Sequence, residues 1–205
     1  MLPSLLEALA RFALSVSVQV VIVAVGCIGI AVVTASTEQV LVLALLAAYL
    51  ATAVLLTSLA APELAFVVML IGIFVSLMMQ FTAIERRQVA SGAAHAQMSL
   101  AFRLLVVLVL LWLAWSLNLF ARPLDASRFA LLWLVASAGA ALAISSDPFK
   151  VGIALLMLLA SGLLYYATST GEASLFVLGV IAVASFAVSL ASSHLALIPP
   201  AEADR

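Results

Sequence analysis

Charged side chains are scarce in this sequence. Lysine, arginine, aspartate and glutamate together make up 8% of its 205 residues, whereas a soluble domain carries about a quarter. Hydrophobic residues account for 67%, and the mean hydropathy is +1.37. No soluble core can bury that much apolar surface. The composition therefore excludes a water-soluble domain and predicts an integral membrane protein.

Cysteine and the common catalytic motifs are also missing. Cys27 is the only cysteine, which excludes an intrachain disulfide, an iron–sulfur cluster held by this chain alone and the Cys-x-x-Cys-His attachment of haem. We expect Cys27 to be a small apolar residue buried in the bundle. There is no His-Glu-x-x-His helix, glycine-rich phosphate loop or Gly-x-Ser-x-Gly turn. We therefore predict no catalytic residue, no metal site and no enzymatic activity of the chain itself.

What is present is a series of apolar runs separated by charges and prolines. A bilayer core of about 30 Å is crossed by roughly 20 apolar residues, so each run is long enough for one span. The seven predicted spans cover residues 12–35, 38–59, 62–84, 101–121, 127–145, 147–168 and 172–196. Pro62-Glu63 and Asp147-Pro148 mark helix starts, where proline and carboxylates are favoured. We predict an all-α, polytopic helical bundle forming a single transmembrane domain over residues 1–205.

The amino terminus resembles a secretory signal, with Arg11 before an apolar run that ends in Val33-Thr34-Ala35. The run is longer than a usual signal core, so we interpret it as a retained first span. The one longer connection is expected from Glu85 to Ser99.

The charges indicate orientation rather than ion transport. None lies near the middle of a predicted span, where charged groups normally mark an ion path, so the chain alone is not expected to pump protons. The net charge is −1 and the eight basic residues are dispersed along the sequence, which indicates no basic patch for nucleic acid or anionic lipid. Arg86, Arg87, Arg103, Lys150 and Arg205 fall on one side of the membrane, against Arg11, Arg122 and Arg128 on the other. This excess predicts an outside amino terminus and a cytoplasmic carboxy terminus in a prokaryotic-type inner membrane.

Small residues recur at helical spacing in several spans, and they let membrane helices approach closely. They are Gly26 and Gly29 in the first span, Ser137 and Ala141 in the fifth, and Ser185, Ser189 and Ser193 in the last. We expect them to pack helices within the bundle, the alternative being contact with another subunit.

The remaining polar residues have a structural and a functional interpretation. Glu38, Glu63, Asp147 and Glu172 lie at helix starts, where we expect solvated or capping carboxylates. Glu85, Arg86 and Arg87 follow the third span as a solvated cluster, or as a docking surface for a peripheral subunit. His194 is the candidate ligand for a haem or chlorophyll, although an interfacial polar role is the preferred interpretation, as it is for His95. No cofactor is predicted.

The carboxy-terminal third carries a resemblance to a known family. Ser146-Asp147-Pro148-Phe149-Lys150 leads into the apolar run from Val151 to Ser161, then a polar turn and a helix from Glu172. This layout resembles the paired helices of the K-type subunit of respiratory complex I, the C-type subunit of multisubunit Na⁺/H⁺ antiporters and, most fully, hydrogenase-4 component E, in which further spans precede the pair.

The sequence departs from that family at the functional positions. Those subunits carry acidic residues within both paired helices, whereas here the run from Leu155 to Leu159 is apolar and Val183-Ala184-Ser185 offers only a hydroxyl. The resemblance implies a structural relative that lacks the proton-carrying residues.

We therefore predict a non-catalytic subunit of a larger energy-converting complex, either structural or completing a proton or cation path with its neighbours. The expected partners are other membrane subunits and the lipid bilayer, not nucleic acid. One alternative is a small transporter or permease, although the sequence shows no internal repeat and its prolines lie near predicted span ends. The other alternative is a pigment- or quinone-associated subunit.

Overall fold

The computed structural model describes residues 18–59, 62–89, 100–120, 126–170 and 174–197. These residues form seven α-helices and no β-strand, which confirms the predicted all-α bundle. The helices are α1 (Val18–Thr34), α2 (Glu38–Leu59), α3 (Pro62–Val89), α4 (Leu100–Phe120), α5 (Ala126–Ile144), α6 (Pro148–Thr170) and α7 (Leu175–Leu197).

The lengths and apolar composition of these helices fit an integral membrane protein. Five of them, α2, α3, α5, α6 and α7, are long and apolar enough to cross a bilayer. The apolar stretches described in α1 and α4 are shorter, Val20–Thr34 and Ala101–Leu110. Residues 12–17 of the predicted first span, with the signal-like amino terminus, lie outside the described residues.

Helix α3 is longer than its apolar run. The predicted third span ends at residue 84, but the helix continues to Val89, so the start of the expected connection is helical. Glutamate, arginine and glutamine are good helix formers. The charges therefore end the apolar part of α3 without ending the helix.

The helices form two rows of three. Helices α1, α2 and α3 pack side by side in one row, and α5, α6 and α7 in the other. The rows pack together through α1 with α5, α2 with α6 and α3 with α7, whereas α4 lies against α5 and α1. Short connections make neighbours within a row antiparallel, and α4 restores the direction before the second row begins. Each pair that joins the rows is therefore parallel.

The two rows repeat one another in layout. The connection from α1 (ending at Thr34) to α2 (starting at Glu38) has the same length as the connection from α5 (ending at Ile144) to α6 (starting at Pro148). Apolar residues are largely interchangeable on membrane helices. An arrangement of helices can therefore recur without a repeat in the sequence.

Close contacts between the rows depend on small residues. A Cβ atom on Gly29 of α1 would overlap the indole of Trp133 in α5, which is fully buried. The same indole donates a hydrogen bond from Nε1 to the carbonyl oxygen of Gly26 at 3.2 Å. Ser137 and Ala141, on the same helix as Trp133, are also buried. Gly29 of α1 thus allows the Trp133 indole of α5 to pack closely against that helix, where Gly26 accepts its hydrogen bond.

The position of Cys27 differs from our expectation. Cys27 is exposed on the outward side of α1, so the prediction of a buried cysteine is wrong. The inward side is formed by Val25, Ile28 and Val32. In a bilayer, the outward face of a helix contacts lipid that is as apolar as the core. Hydrophobicity alone therefore does not show which face of α1 points inward.

We expect Gly29→Ala to destabilise the bundle, because the added methyl group would displace a buried indole that cannot shift without losing its hydrogen bond to Gly26. Overpacking of this kind costs about 1–3 kcal/mol. Gly26→Ala is the matched control, because a Cβ atom there meets nothing within 4 Å. Thermal unfolding in detergent measures both, and an equal melting temperature for the two variants would contradict the packing described for Trp133.

Candidate functional site

Ionised side chains gather where α1, α3, α5 and α7 end and α2, α4 and α6 begin. We call this region the polar end and define it by Glu38, Arg86, Arg103, Asp147 and Lys150. The residues come from four helices and are distant in sequence. Three of the eight basic residues, although dispersed along the sequence, thus lie at one end of the bundle.

Arg86 is at the centre of an ionic network. Its Nη1 lies 3.2 Å from Oε1 of Glu38 and 3.2 Å from each carboxylate oxygen of Asp147. The guanidinium carbon also lies 5.5 Å from the ring centroid of Phe149, a cation–π distance. The side chains of Arg86 and Glu38 are 18% and 21% exposed, so the pair is half-buried. One arginine thus ties α3 to both α2 and α6.

Asp147 has a second role at the start of α6. Its Oδ1 accepts a hydrogen bond from the backbone N–H of Phe149 at 3.1 Å, with Pro148 in the first turn. This is the N-cap arrangement, and it confirms the predicted helix start. The two carboxylates that bind Arg86 both lie at helix amino termini, where the helix dipole also favours negative charge.

Lys150 caps a different helix. It is only 7% exposed, and its Nζ donates hydrogen bonds to the carbonyl oxygens of Val33 and Ala35, each at 3.2 Å. The last carbonyls of a helix have no partner within the helix and attract cations. Lys150 therefore joins the first turn of α6 to the end of α1. The sequence indicated Lys150 only as a contribution to orientation.

These contacts change the interpretation of Glu85, Arg86 and Arg87. Arg86 is not a solvated residue of a surface cluster, because its guanidinium binds Glu38 and Asp147 inside the chain. Glu85 is exposed, and the side chain of Arg87 lies outside the described residues. Of the three residues expected to form a docking surface, Glu85 is the one that the structure describes as exposed.

A second polar feature runs from the polar end towards the middle of the bundle. We call it the hydroxyl column and define it by Tyr49, Ser76, Thr82, Ser185, Ser189, Ser192 and Ser193. At its deep end, the fully buried Tyr49 hydroxyl lies 3.1 Å from Oγ of Ser185 and donates to the carbonyl oxygen of Leu156 at 3.4 Å. Tyr49 and Ser185 lie halfway along their helices. The column therefore reaches the centre of both rows.

Nearer the polar end, the column joins α3 to α7. Thr82 donates a hydrogen bond to Oγ of Ser193 at 2.8 Å, and Ser192 and Ser193 contact the sulfur of Met79 at 3.7 and 3.8 Å. A Cβ atom on Gly152 would overlap Ser192, so α6 also packs closely here. The serines of α7 thus lie where three helices meet.

Two hydroxyls in the column are not satisfied. Oγ of Ser76 and Oγ of Ser189 are buried without a hydrogen-bond partner among the described residues. The parallel register set by Met79 and Ser192 brings them to a similar level on α3 and α7. Unpaired buried hydroxyls cost about 1–3 kcal/mol each. They give the interior some capacity to bind a small polar group, without supplying a fixed charge.

The candidate cofactor ligand follows Ser193 of the column but does not face the bundle interior. His194 is exposed near the end of α7, and His95 lies outside the described residues. Within the described helices, no group of three His, Cys, Asp or Glu side chains is arranged to hold a metal ion. The described polar groups therefore support helix contacts and hydrogen bonding rather than metal chemistry.

We expect Arg86→Gln to lower the free energy of unfolding by about 2 kcal/mol, between the values for exposed and buried ion pairs. The substitution leaves two half-buried carboxylates without their cation. Glu85→Gln is the control, because it changes an exposed charge on the adjacent residue and should have an effect within about 0.5 kcal/mol. Thermal or denaturant unfolding in detergent tests this, and equal stabilities for the two variants would show that the network contributes little.

We expect Tyr49→Phe to cost about 1–2 kcal/mol, since it leaves the buried Ser185 hydroxyl without its tyrosine partner. Tyr165→Phe is the control, because Tyr165 is 62% exposed on α6. The same unfolding measurement applies to both variants. If Tyr49→Phe were neutral or stabilising, the deep end of the hydroxyl column would not contribute to stability.

Comparisons with protein-family models, curated proteins and solved structures find no match to this chain.

Proposed function

We propose that the chain is a non-catalytic membrane subunit that serves as a scaffold in a larger energy-converting complex. The proposal rests on where the ionised side chains lie and on what they bind. Among the described residues they lie near helix ends, and Arg86, Asp147 and Lys150 bind other parts of this chain. A proton or cation carrier would need such groups at mid-membrane depth. A proton or cation path through this chain would therefore need ionisable groups from a neighbouring subunit.

The outward surface supports the same proposal. Helices α3 and α7 expose large apolar side chains along their lengths, including Phe74, Phe81, Phe176 and Val183, each more than half exposed. Such faces suit either lipid or the helices of other membrane subunits. The resemblance to complex I, antiporter and hydrogenase-4 subunits favours partners of that kind, with this chain filling space between them.

The proposed orientation follows from the polar end. Arg86, Arg103 and Lys150 lie there, and cytoplasmic ends of membrane helices are rich in lysine and arginine. We propose that the polar end faces the cytoplasm of a prokaryotic-type cell and that the amino terminus is outside. A reporter fused to residue 205 would then be active only if it functions in the cytoplasm.

The proposal is tested by purification in a mild detergent. We expect the tagged chain to retain antiporter-like or hydrogenase-like membrane subunits in fixed stoichiometry, identified by mass spectrometry. Gly29→Ala, expected to loosen α1 from α5, should reduce that retention, whereas Gly26→Ala should not. Purification of a stable chain without such subunits would contradict the proposal.

A small transporter is the second candidate, and one observation favours it. Transporters often bind substrates near mid-membrane, between two groups of helices. The hydroxyl column lies between helices of the two rows, and Ser76 and Ser189 within it have unsatisfied hydroxyls. Flux of polar solutes into liposomes that contain only this chain, reduced by Ser189→Ala, would establish this candidate over the scaffold.

A further inference from the structure

Helix α4 carries a buried arginine on an otherwise apolar surface. Arg103 and Val107, one turn apart, are 8% and 5% exposed and face the bundle. Leu105 and Leu108, on the opposite side, are 60% and 69% exposed. The helix therefore lies at the edge of the bundle, with an outward face suited to lipid. Its inward face carries the cation of Arg103 near the start of the helix.

The guanidinium of Arg103 is not neutralised by the described residues. Its Nε is buried and has no hydrogen-bond partner among them. The polar end has two described, partly buried carboxylates, Glu38 and Asp147. Both bind Arg86 rather than Arg103. A buried charge without a counter-ion is strongly unfavourable. Arg103 therefore favours a nearby negative charge that the described residues do not supply.

Lys150 increases this demand. Its charge lies close enough to Arg103 for the two to repel each other. The carbonyl oxygens of Val33 and Ala35 use two of its three N–H donors. These carbonyl oxygens carry no full negative charge, and the nearby carboxylate of Asp147 is shared with Arg86. The third donor of Lys150 has no partner in the described part of the chain. Two buried cations near one another, with donors still available, would favour an anion between them.

We propose that Arg103 and Lys150 bind the phosphate group of an anionic phospholipid at the polar end. Arg103 is the fourth residue of α4, about 5 Å along the helix axis from its start, near the depth of the headgroups. Basic sites between membrane helices commonly bind such headgroups. A site at headgroup depth is reached from the bilayer, which favours a lipid over a free phosphate ion.

The test uses the full-length chain, delipidated in detergent and then supplied with defined additives. At ten times its dissociation constant, phosphatidylglycerol should raise the melting temperature by about 3–6 °C. Phosphatidylcholine and inorganic phosphate should raise it by much less. Arg103→Gln should abolish the difference between the two lipids, and Arg103→Lys should retain part of it. Arg128→Gln, which removes an exposed charge at the opposite end, should behave like the unaltered chain.

A second measurement does not depend on the stability of the variants. Phosphatidylglycerol with a photoreactive headgroup should crosslink the unaltered chain at peptides from the starts of α4 and α6. Equal stabilisation by phosphatidylcholine, or crosslinks spread over all helices, would overturn the proposal. If inorganic phosphate raised the melting temperature as much as phosphatidylglycerol, the site would bind free phosphate and the lipid proposal would be wrong.

Discussion

The contact between Arg86 and two carboxylates is the interaction on which the arrangement of the polar end depends. A bilayer offers no water to compensate a polar group, so such groups must be satisfied within the protein or placed at its ends. Arg86 does both, because it lies near the end of α3 and binds the helix starts at Glu38 and Asp147. Both carboxylates lie at the start of the middle helix of a row, Glu38 as the first residue of α2 and Asp147 as the residue before α6. A single cation therefore links equivalent points of the repeated layout.

The interior follows the same constraint with weaker groups. Tyr49 and the serines of α7 provide hydrogen bonds at mid-membrane, whereas full charges stay near the ends. Close contacts at Gly29, at Gly72 against Tyr49 and at Gly152 bring the helices together. Such packing suits a subunit whose contribution is shape. Buried hydroxyls are normally hydrogen-bonded, so Ser76 and Ser189, which have no partner among the described residues, are exceptions in this interior.

Much of the fold could be predicted from the sequence, because charges and prolines mark where apolar helices stop. Pro62 and Asp147 mark helix starts both in the sequence and in the structure. The lateral contacts could not be predicted. Cys27 shows the reason, since a residue suited to the core is equally suited to lipid. The pairing of Arg86 with Glu38, and the burial of Arg103 and Lys150, depend on which helices are neighbours, and no local pattern in the sequence specifies that.

The proposed scaffold role requires a bundle interior that is closed to water. The most direct measurement is labelling of single cysteines by a small, water-soluble thiol reagent in a chain with Cys27→Ala. Ser146→Cys, on the exposed connection between α5 and α6, should react rapidly in membranes. Ser185→Cys, at the deep end of the hydroxyl column, should remain unlabelled. Rapid labelling at position 185 would reveal a water-filled path and contradict this account.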